Sequence, residues 1–322
     1  MFRFCFLLFL LLAPATLSEL CNPQDKNVLL KIKKDLNNPY LLASWKSNTD
    51  CCDWYTVTCD STTNRINSLT IFSGQLSAQI PTSVGDLPYL EKLEFRELSD
   101  LTGPIQPTIA KLTNLNFLRL KNTNISGPVP NFLAQLKKLT FLDLSFNDLT
   151  GTIPSALSQF PNLNALHLDG NKLTGPIPDS FGFFNKVPDL YLSHNQLSGK
   201  IPVSLGNLKL TVIDLSWNKL EGDASFLLGP SLTTQIIDVS RNLLQFDLSN
   251  VKFTNSLTSL DLSHNSIFGS LPAGLTALNL QYLNVSYNSL CGQIPVGGKL
   301  QSFTIYEYFH NKCLCGSPLP SC

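Results

Sequence analysis

The chain is short of charge, and what charge it has is balanced. Asp, Glu, Lys and Arg make up 14% of its 322 residues, and 23 basic residues cancel 23 acidic ones. A global pull toward nucleic acid or an anionic membrane is thereby excluded, and only local patches can differ in sign. Long apolar runs are scarce too: past the N-terminus no segment approaches the ~18 uninterrupted apolar residues of a spanning helix. Signatures of catalysis are missing. His167, His194, His264 and His310 show no His-Glu-x-x-His spacing, and there is no Gly-x-Ser-x-Gly elbow, phosphate loop or dinucleotide fingerprint. The reading is of a protein that is not an enzyme and uses no cofactor or metal.

Cysteine is absent from the whole middle of the chain. Cys5 lies in an N-terminal stretch with a basic Arg3, an apolar run from Phe4 to Ala13 and small residues at Thr16 and Ser18, which reads as a secretion signal over residues 1–18. The other eight sit at the two ends: Cys21, Cys51, Cys52 and Cys59, then Cys291, Cys313, Cys315 and Cys322. An exported chain meets an oxidising compartment, and neither set has zinc-like spacing, so two disulfides per end are expected, with the pairing left open. Joining Cys21 to the Cys51–Cys52 pair closes a loop of ~30 residues, worth about 3–4 kcal/mol in the chain-entropy model.

What fills the middle is a repeat. Asn147, Asn171, Asn195, Asn218, Asn242, Asn265 and Asn288 fall 23 or 24 residues apart, each within Leu-x-Leu-x-x-Asn-x-Leu or a close variant. Such a period means a solenoid of stacked coils. We expect about ten coils over residues 66–295, between caps at 19–65 and 296–322. The Leu-x-Leu alternation makes a short strand with both leucines inward, and stacking gives a parallel sheet on one face. The asparagine amide then serves turn groups that no regular structure would satisfy. Glycine and proline in the following Leu-Thr/Ser-Gly-x-Ile-Pro read as a turn that blocks further pairing. Gly74 and Thr123 replace the asparagine early on and the Phe95 coil has an extra residue, so the first coils should be less regular. From Glu221 to Thr254 the Gly-x-Ile-Pro is lost, and the outer layer should break there. In the N-terminal cap, Val28, Leu29, Ile32 and Leu36 share one helical face after a start at Asn22, Pro23 and Asp25, and Trp45 and Trp54 should pack beneath the cysteine pair.

These residues resemble a known family. Leu-x-Gly-x-Ile-Pro is similar to the consensus of plant extracytoplasmic leucine-rich repeats. CNPQDKNVLLKIKKDL at 21, SWKSNTDCCDWYTVTCD at 44, LEGDAS at 220, NVSYNSLCGQIPVGG at 284 and NKCLCGSPLP at 311 resemble the polygalacturonase-inhibiting proteins over the whole mature chain. The resemblance implies an α/β solenoid, a right-handed leucine-rich-repeat superhelix with a concave parallel sheet. It implies secretion to the plant cell wall and inhibition of endo-polygalacturonases from fungi and some insects. It also implies sequential pairing: Cys21–Cys51, Cys52–Cys59, Cys291–Cys313 and Cys315–Cys322.

Only outward strand positions can meet a partner. The middle residues of Leu-x-Leu include Arg119, Asp143, His167, Tyr191, Asp214, Asp238, Asp261 and Asn284; Arg96, Lys121 and Asp169 lie in the next outward column, with Trp217, Arg241 and His264 beside it. An enzyme cleft that holds an anionic polymer is basic nearby, so acidic side chains with aromatic neighbours suit it. We therefore expect Asp143, His167, Asp169, Tyr191, Asp214, Trp217, Asp238, Arg241, Asp261 and His264 to bind the enzyme. Charge reversal at Asp143 or Asp214 should weaken inhibition without unfolding. Such an aspartate can equally bond within the sheet. Arg96, Arg119 and Lys121 are the candidates for pectin, which the resemblance implies as a ligand. Asn124 and Asn284 head glycosylation sequons. Two other functions fit the class: ice binding, which wants a flat array of Thr or Asn that the middle column lacks, and ligand sensing as a soluble receptor-like protein.

Overall fold

The triplet that precedes each ladder asparagine, Leu-x-Leu or a close variant, contributes to a short strand, and these strands stack into one parallel ladder. The computed structural model describes residues 20–322, so the apolar stretch read as a secretion signal, with Cys5, lies outside the described residues. Strands Ile66–Phe72, Lys92–Gly103, Phe117–Pro128, Phe141–Asp143, Ala165–His167, Asp189–Tyr191, Val212–Asp214, Ile236–Asp238, Ser259–Asp261 and Tyr282–Asn284 follow in order. From Leu118 onward their central apolar residues pair one to one: Leu142, Leu166, Leu190, Ile213, Ile237, Leu260, Leu283. All are buried, and together they floor a single continuous core. Because side chains alternate along a strand, this register sets the outward residues into straight columns.

The segment after each asparagine departs from expectation. It is a second parallel ladder: Asp148–Thr152 pairs with Lys172–Gly175, which pairs with Gln196–Lys200, which pairs with Lys219–Gly222. A buried leucine with outward neighbours on both sides is a strand signal, but over so few residues it is hidden by the glycine that ends it. Gly151 and Gly175 take φ of 77° and 76°, a left-handed conformation that costs glycine little. Proline and a 3-10 turn such as Ser155–Gln159 then carry the chain back.

The ladder asparagines do more than was expected of them. Asn171 Nδ2 donates to Leu144 O at 2.9 Å in the preceding coil and to Leu168 O at 3.1 Å in its own, while its Oδ1 accepts from Leu149 N at 3.1 Å. One amide thus stitches two coils at three backbone groups. An eighth member lies in the C-terminal cap: Asn311 donates to Val285 O at 3.0 Å and accepts from Leu290 N at 3.0 Å. Where Thr123 replaces asparagine, its hydroxyl donates to Asn147 Oδ1 at 2.6 Å.

The irregularities fall where the sequence placed them. Between Leu98 and Thr102 the register slips, and the long strands Lys92–Gly103 and Phe117–Pro128 run from one ladder into the other. In the coil that follows Asn242, the second ladder shrinks to Leu243–Leu244 and an isolated bridge from Asp247 to Phe268.

Both caps close on side chains. Helix α1 (Pro23–Asp35) starts at Asn22, whose Oδ1 accepts from Gln24 N and Asp25 N. Asp25 receives Arg65 Nε and Nη2 at 2.8 and 2.7 Å and Ile66 N at 3.0 Å, tying the helix to the first strand. The Trp45 and Trp54 rings stack at 5.5 Å. The disulfides are Cys21–Cys51, Cys52–Cys59, Cys291–Cys313 and Cys315–Cys322, the sequential pairing. No helix among the described residues is long and apolar enough to cross a membrane. Since an orphaned buried group costs about 1–3 kcal/mol, Asn195→Ala should lower the unfolding free energy by about that amount with unchanged far-ultraviolet circular dichroism, as measured by urea titration.

Candidate partner-binding face

Where an aspartate is the middle residue of a concave strand, the serine two residues on holds it. Asp214 Oδ1 accepts from Ser216 N at 3.0 Å and Ser216 Oγ at 2.7 Å. Asp238 and Asp261 accept from Ser240 N and Ser263 N at 2.9 Å each. The Asp-Leu-Ser pattern therefore uses one carboxylate oxygen inside the sheet and orients the other. Asp261 Oδ2 receives the Tyr282 hydroxyl at 2.9 Å, whereas among the described residues Asp214 Oδ2 has no partner. Strand register sets Asp214, Asp238 and Asp261 side by side. Burial first, then its neighbours Asp261 and Asp214, push the Asp238 carboxyl up to about 6 despite its bonds to Ser240. Burial and Asp261 likewise push the Tyr282 hydroxyl up to about 12.

Asp143 does not behave as expected. It is 1% exposed; Oδ1 accepts from Ser145 N and Oγ at 3.1 and 2.6 Å, and Oδ2 from Arg119 Nε at 3.0 Å. Both oxygens are engaged, so a lysine there would bury a charge beside Arg119, and charge reversal should destabilise the fold as well as any contact.

The coil from His167 to Asn171 inverts the pattern. Its middle residue is His167, and Asp169 stands in the column where Ser145, Ser193, Ser216 and Ser240 sit. No serine brackets this carboxylate: Asp169 Oδ1 is buried with no hydrogen-bond partner among the described residues. His167 Nδ1 is 3.7 Å away, beyond hydrogen-bond length, and the His167 ring stacks on Tyr191 at 4.2 Å. An unmatched acceptor of this kind is an energetic debit until a donor arrives.

Beside these columns runs a lip of residues in left-handed backbone. Phe146, His194, Trp217, Arg241, His264 and Tyr287 have φ of 52–54°. Side chains rarely adopt this conformation; here it is imposed by stacking, each N–H donating to the next coil, as Trp217 N does to Ser240 O at 3.0 Å. It turns the side chains onto one another. His194 stacks on Trp217 at 5.1 Å, the Arg241 guanidinium lies 4.2 Å from the Trp217 ring, and His264 stacks on Tyr287 at 4.1 Å. Burial, then the Arg241 charge, lowers the His264 pKa. Trp217 remains 48% exposed. The sequence placed this column but not its backbone. It also passed over a further outward column holding Phe117, Phe141, Val212 and Ile236, which the same alternation one step earlier would have revealed; Phe117 and Phe141 stack at 4.6 Å.

Toward the N-terminus the face is occupied by its own ion pairs. Glu94 is 3% exposed and meets Lys92, Arg96 and Arg119 at 2.9, 3.0 and 3.2 Å. Burial raises its carboxyl, and the bonds and charges of Lys92 and Arg119 more than offset that, leaving it below its ordinary value. Arg96 and Arg119 are thus largely neutralised, and Lys121 sits 5.4 Å from the Phe146 ring. Of the sequon residues, Asn124 is exposed on the second ladder, whereas Asn284 Oδ1 accepts from Ser286 N and Oγ at 3.1 and 2.7 Å, in the place of the strand aspartates.

Two stability effects follow. Asp143→Asn should lower the thermal midpoint clearly, while Asp169→Asn, which replaces an unmatched carboxylate, should hold or raise it; scanning calorimetry compares them. Asp238 binds its proton more tightly folded than unfolded, so its contribution to stability is complete below about pH 4 and is lost as pH rises through about 6. In urea titrations at pH 4 and pH 7, Asp238→Asn should remove that component.

Family models match the described geometry: a leucine rich repeat N-terminal domain over residues 22–60 and leucine rich repeats over residues 150–220. A polygalacturonase inhibitor of Pyrus communis is 71% identical over 98% of this chain and 96% of its own length. One of Vitis vinifera is 70% identical over 95% of this chain and 92% of its own. Among solved structures, a plant ice-binding protein superposes with a TM-score of 0.93 at 54% identity, over 94% of this chain and 98% of that one. With such identity along nearly its full length, the chain belongs to the polygalacturonase-inhibitor family of leucine-rich repeat proteins.

Proposed function

We propose that this protein is a secreted plant-wall inhibitor of endo-polygalacturonases, chiefly those of fungal pathogens and also of insects, and that the concave face from Asp169 to Asp261 is its contact surface. Asp169 is the observation that supports this reading most directly: it stands in the serine column, and one of its carboxylate oxygens is buried without a donor among the described residues. A lysine or arginine from the rim of a polygalacturonate-binding cleft supplies that donor. Asp214, Asp238 and Asp261 continue the acidic row, His167, Tyr191, Trp217 and His264 flank it with ring surface, and the Arg241 guanidinium lies against the Trp217 ring. The inhibitor's carboxylates occupy the positions that substrate carboxylates need, so binding and substrate access compete. Ile236, 40% exposed, adds apolar area in the same coils. Asn124 is the better placed glycan site. Pectin contact through Arg96 and Arg119 requires breaking their pairs with Glu94, which leaves Lys121 as the freer cation.

The test is inhibition of purified polygalacturonases, fungal and insect, by this protein and two variants. Asp169→Asn and Asp238→Asn should each raise the inhibition constant about tenfold or more, given the cost of removing one partner of a buried charge pair, and added salt should weaken the wild type. Wild-type constants in both variants would discard the acidic contact. A cationic partner favours ionised Asp238, so wild-type binding should strengthen as pH rises through about 6. Asp238→Asn should lose that dependence.

A second reading has one observation in its favour. Thr150, Thr174 and Ser198 follow the buried leucines of successive coils on the second ladder, an array of small hydroxyls that the middle column lacks and that suits ice. Glu221 interrupts it at the next coil, and the ion pair of Lys172 with Asp148 at 2.6 Å lies alongside, so inhibition stays the first reading. Thermal hysteresis at millimolar protein concentration separates the two.

A further inference from the structure

The C-terminal cap begins as one more rung of the concave sheet. Val285 N donates to Glu307 O at 2.8 Å and Tyr287 N to Phe309 O at 3.1 Å, repeating the bond from Leu262 N to Asn284 O one coil earlier. The segment is anchored from below, since Tyr308 is fully buried and its hydroxyl donates to Leu300 O at 2.7 Å. The side chains around it are not buried. Tyr306 stands where earlier coils bury a leucine, yet is 65% exposed, and Ile305 is 45% exposed. Phe309 joins them to the aromatic lip, with its ring 5.4 Å from Tyr306 and 5.5 Å from Tyr287, both edge to face. Exposed tyrosines in a connected cluster, on a rigid sheet end, are the residue type that dominates binding at protein interfaces.

We propose that this aromatic end of the sheet is a second contact zone for the polygalacturonase, receiving an apolar rim beside the enzyme's basic cleft; it rests on the function proposed above. Reach supports it. The rung at Glu307 is three strand spacings from Asp238, about 15 Å, and a typical footprint of ~800 Å² per partner is about 30 Å across. A globular enzyme centred on the acidic row covers this end. Charge supports it as well. The acidic group here, Glu307, accepts from Thr304 Oγ1 at 2.7 Å and has the same sign as the acidic row, so beside the rings it suits the same basic partner. The opposite end of the sheet is the poorer neighbour, because its ion pairs around Glu94 would be stripped of water without gaining partners.

The experiment measures inhibition constants against a polygalacturonase that the wild type inhibits, with thermal midpoints recorded for each variant. Tyr306→Ala combined with Tyr287→Ala should raise the constant about tenfold to a hundredfold with an unchanged midpoint, and Tyr306→Phe should inhibit like the wild type. Wild-type inhibition by the double variant, while Asp169→Asn and Asp238→Asn weaken it, overturns the second zone and leaves the acidic contact standing. Failure of the wild type to inhibit any enzyme of the panel removes both. A concentration-dependent dimer in sedimentation, dissolved by the double variant, also overturns the proposal, since the zone would then serve a second copy of this chain.

Discussion

Everything on the concave face depends on a side-chain amide that never reaches it. Each ladder asparagine binds backbone groups of its own turn and of the coil before, so the spacing between coils is held at a polar joint as well as by packed leucines. Leucine packing alone tolerates slippage, because one apolar contact resembles the next. An amide that must find two carbonyls and one N–H does not. The columns of outward side chains inherit their straightness from this joint, and so does the strained lip, whose left-handed residues are held there by the same turn.

That joint was legible in the sequence because its period is unmistakable, and so were the caps, the break after Glu221 and the irregular early coils. The second ladder was not. Its strands are shorter than a pattern can certify, and glycine and proline, read locally, point to a turn; pairing with the neighbouring coil overrides that local signal. The extra ladder member Asn311 escaped because Tyr308, not leucine, fills the inward place before it.

The candidate face was legible by column and opaque by atom. Sequence alternation places Asp143 and Asp214 in equivalent positions, and no spacing rule separates them. What does is the residue at the same height in the coil before: Arg119 beside Asp143 closes it into an ion pair, whereas Tyr191 beside Asp214 leaves an oxygen open. The inversion at His167 and Asp169 was visible as letters. Its meaning emerged only when the serine brackets of the other coils were seen, since an absent bracket is conspicuous only against a row of present ones.

The repeat also makes the protein a ruler. From Asn147 onward the coils dock through the same asparagine joint, so a whole coil gained or lost there would keep the register of its neighbours. Such a change slides the aromatic end relative to the acidic row by a single strand spacing, in the way a vernier moves by one mark. Two chemically different zones on a rigid scale of this kind measure the distance between two features of whatever lies across them, and lineages can retune that distance in discrete steps while every side chain in both zones stays the same.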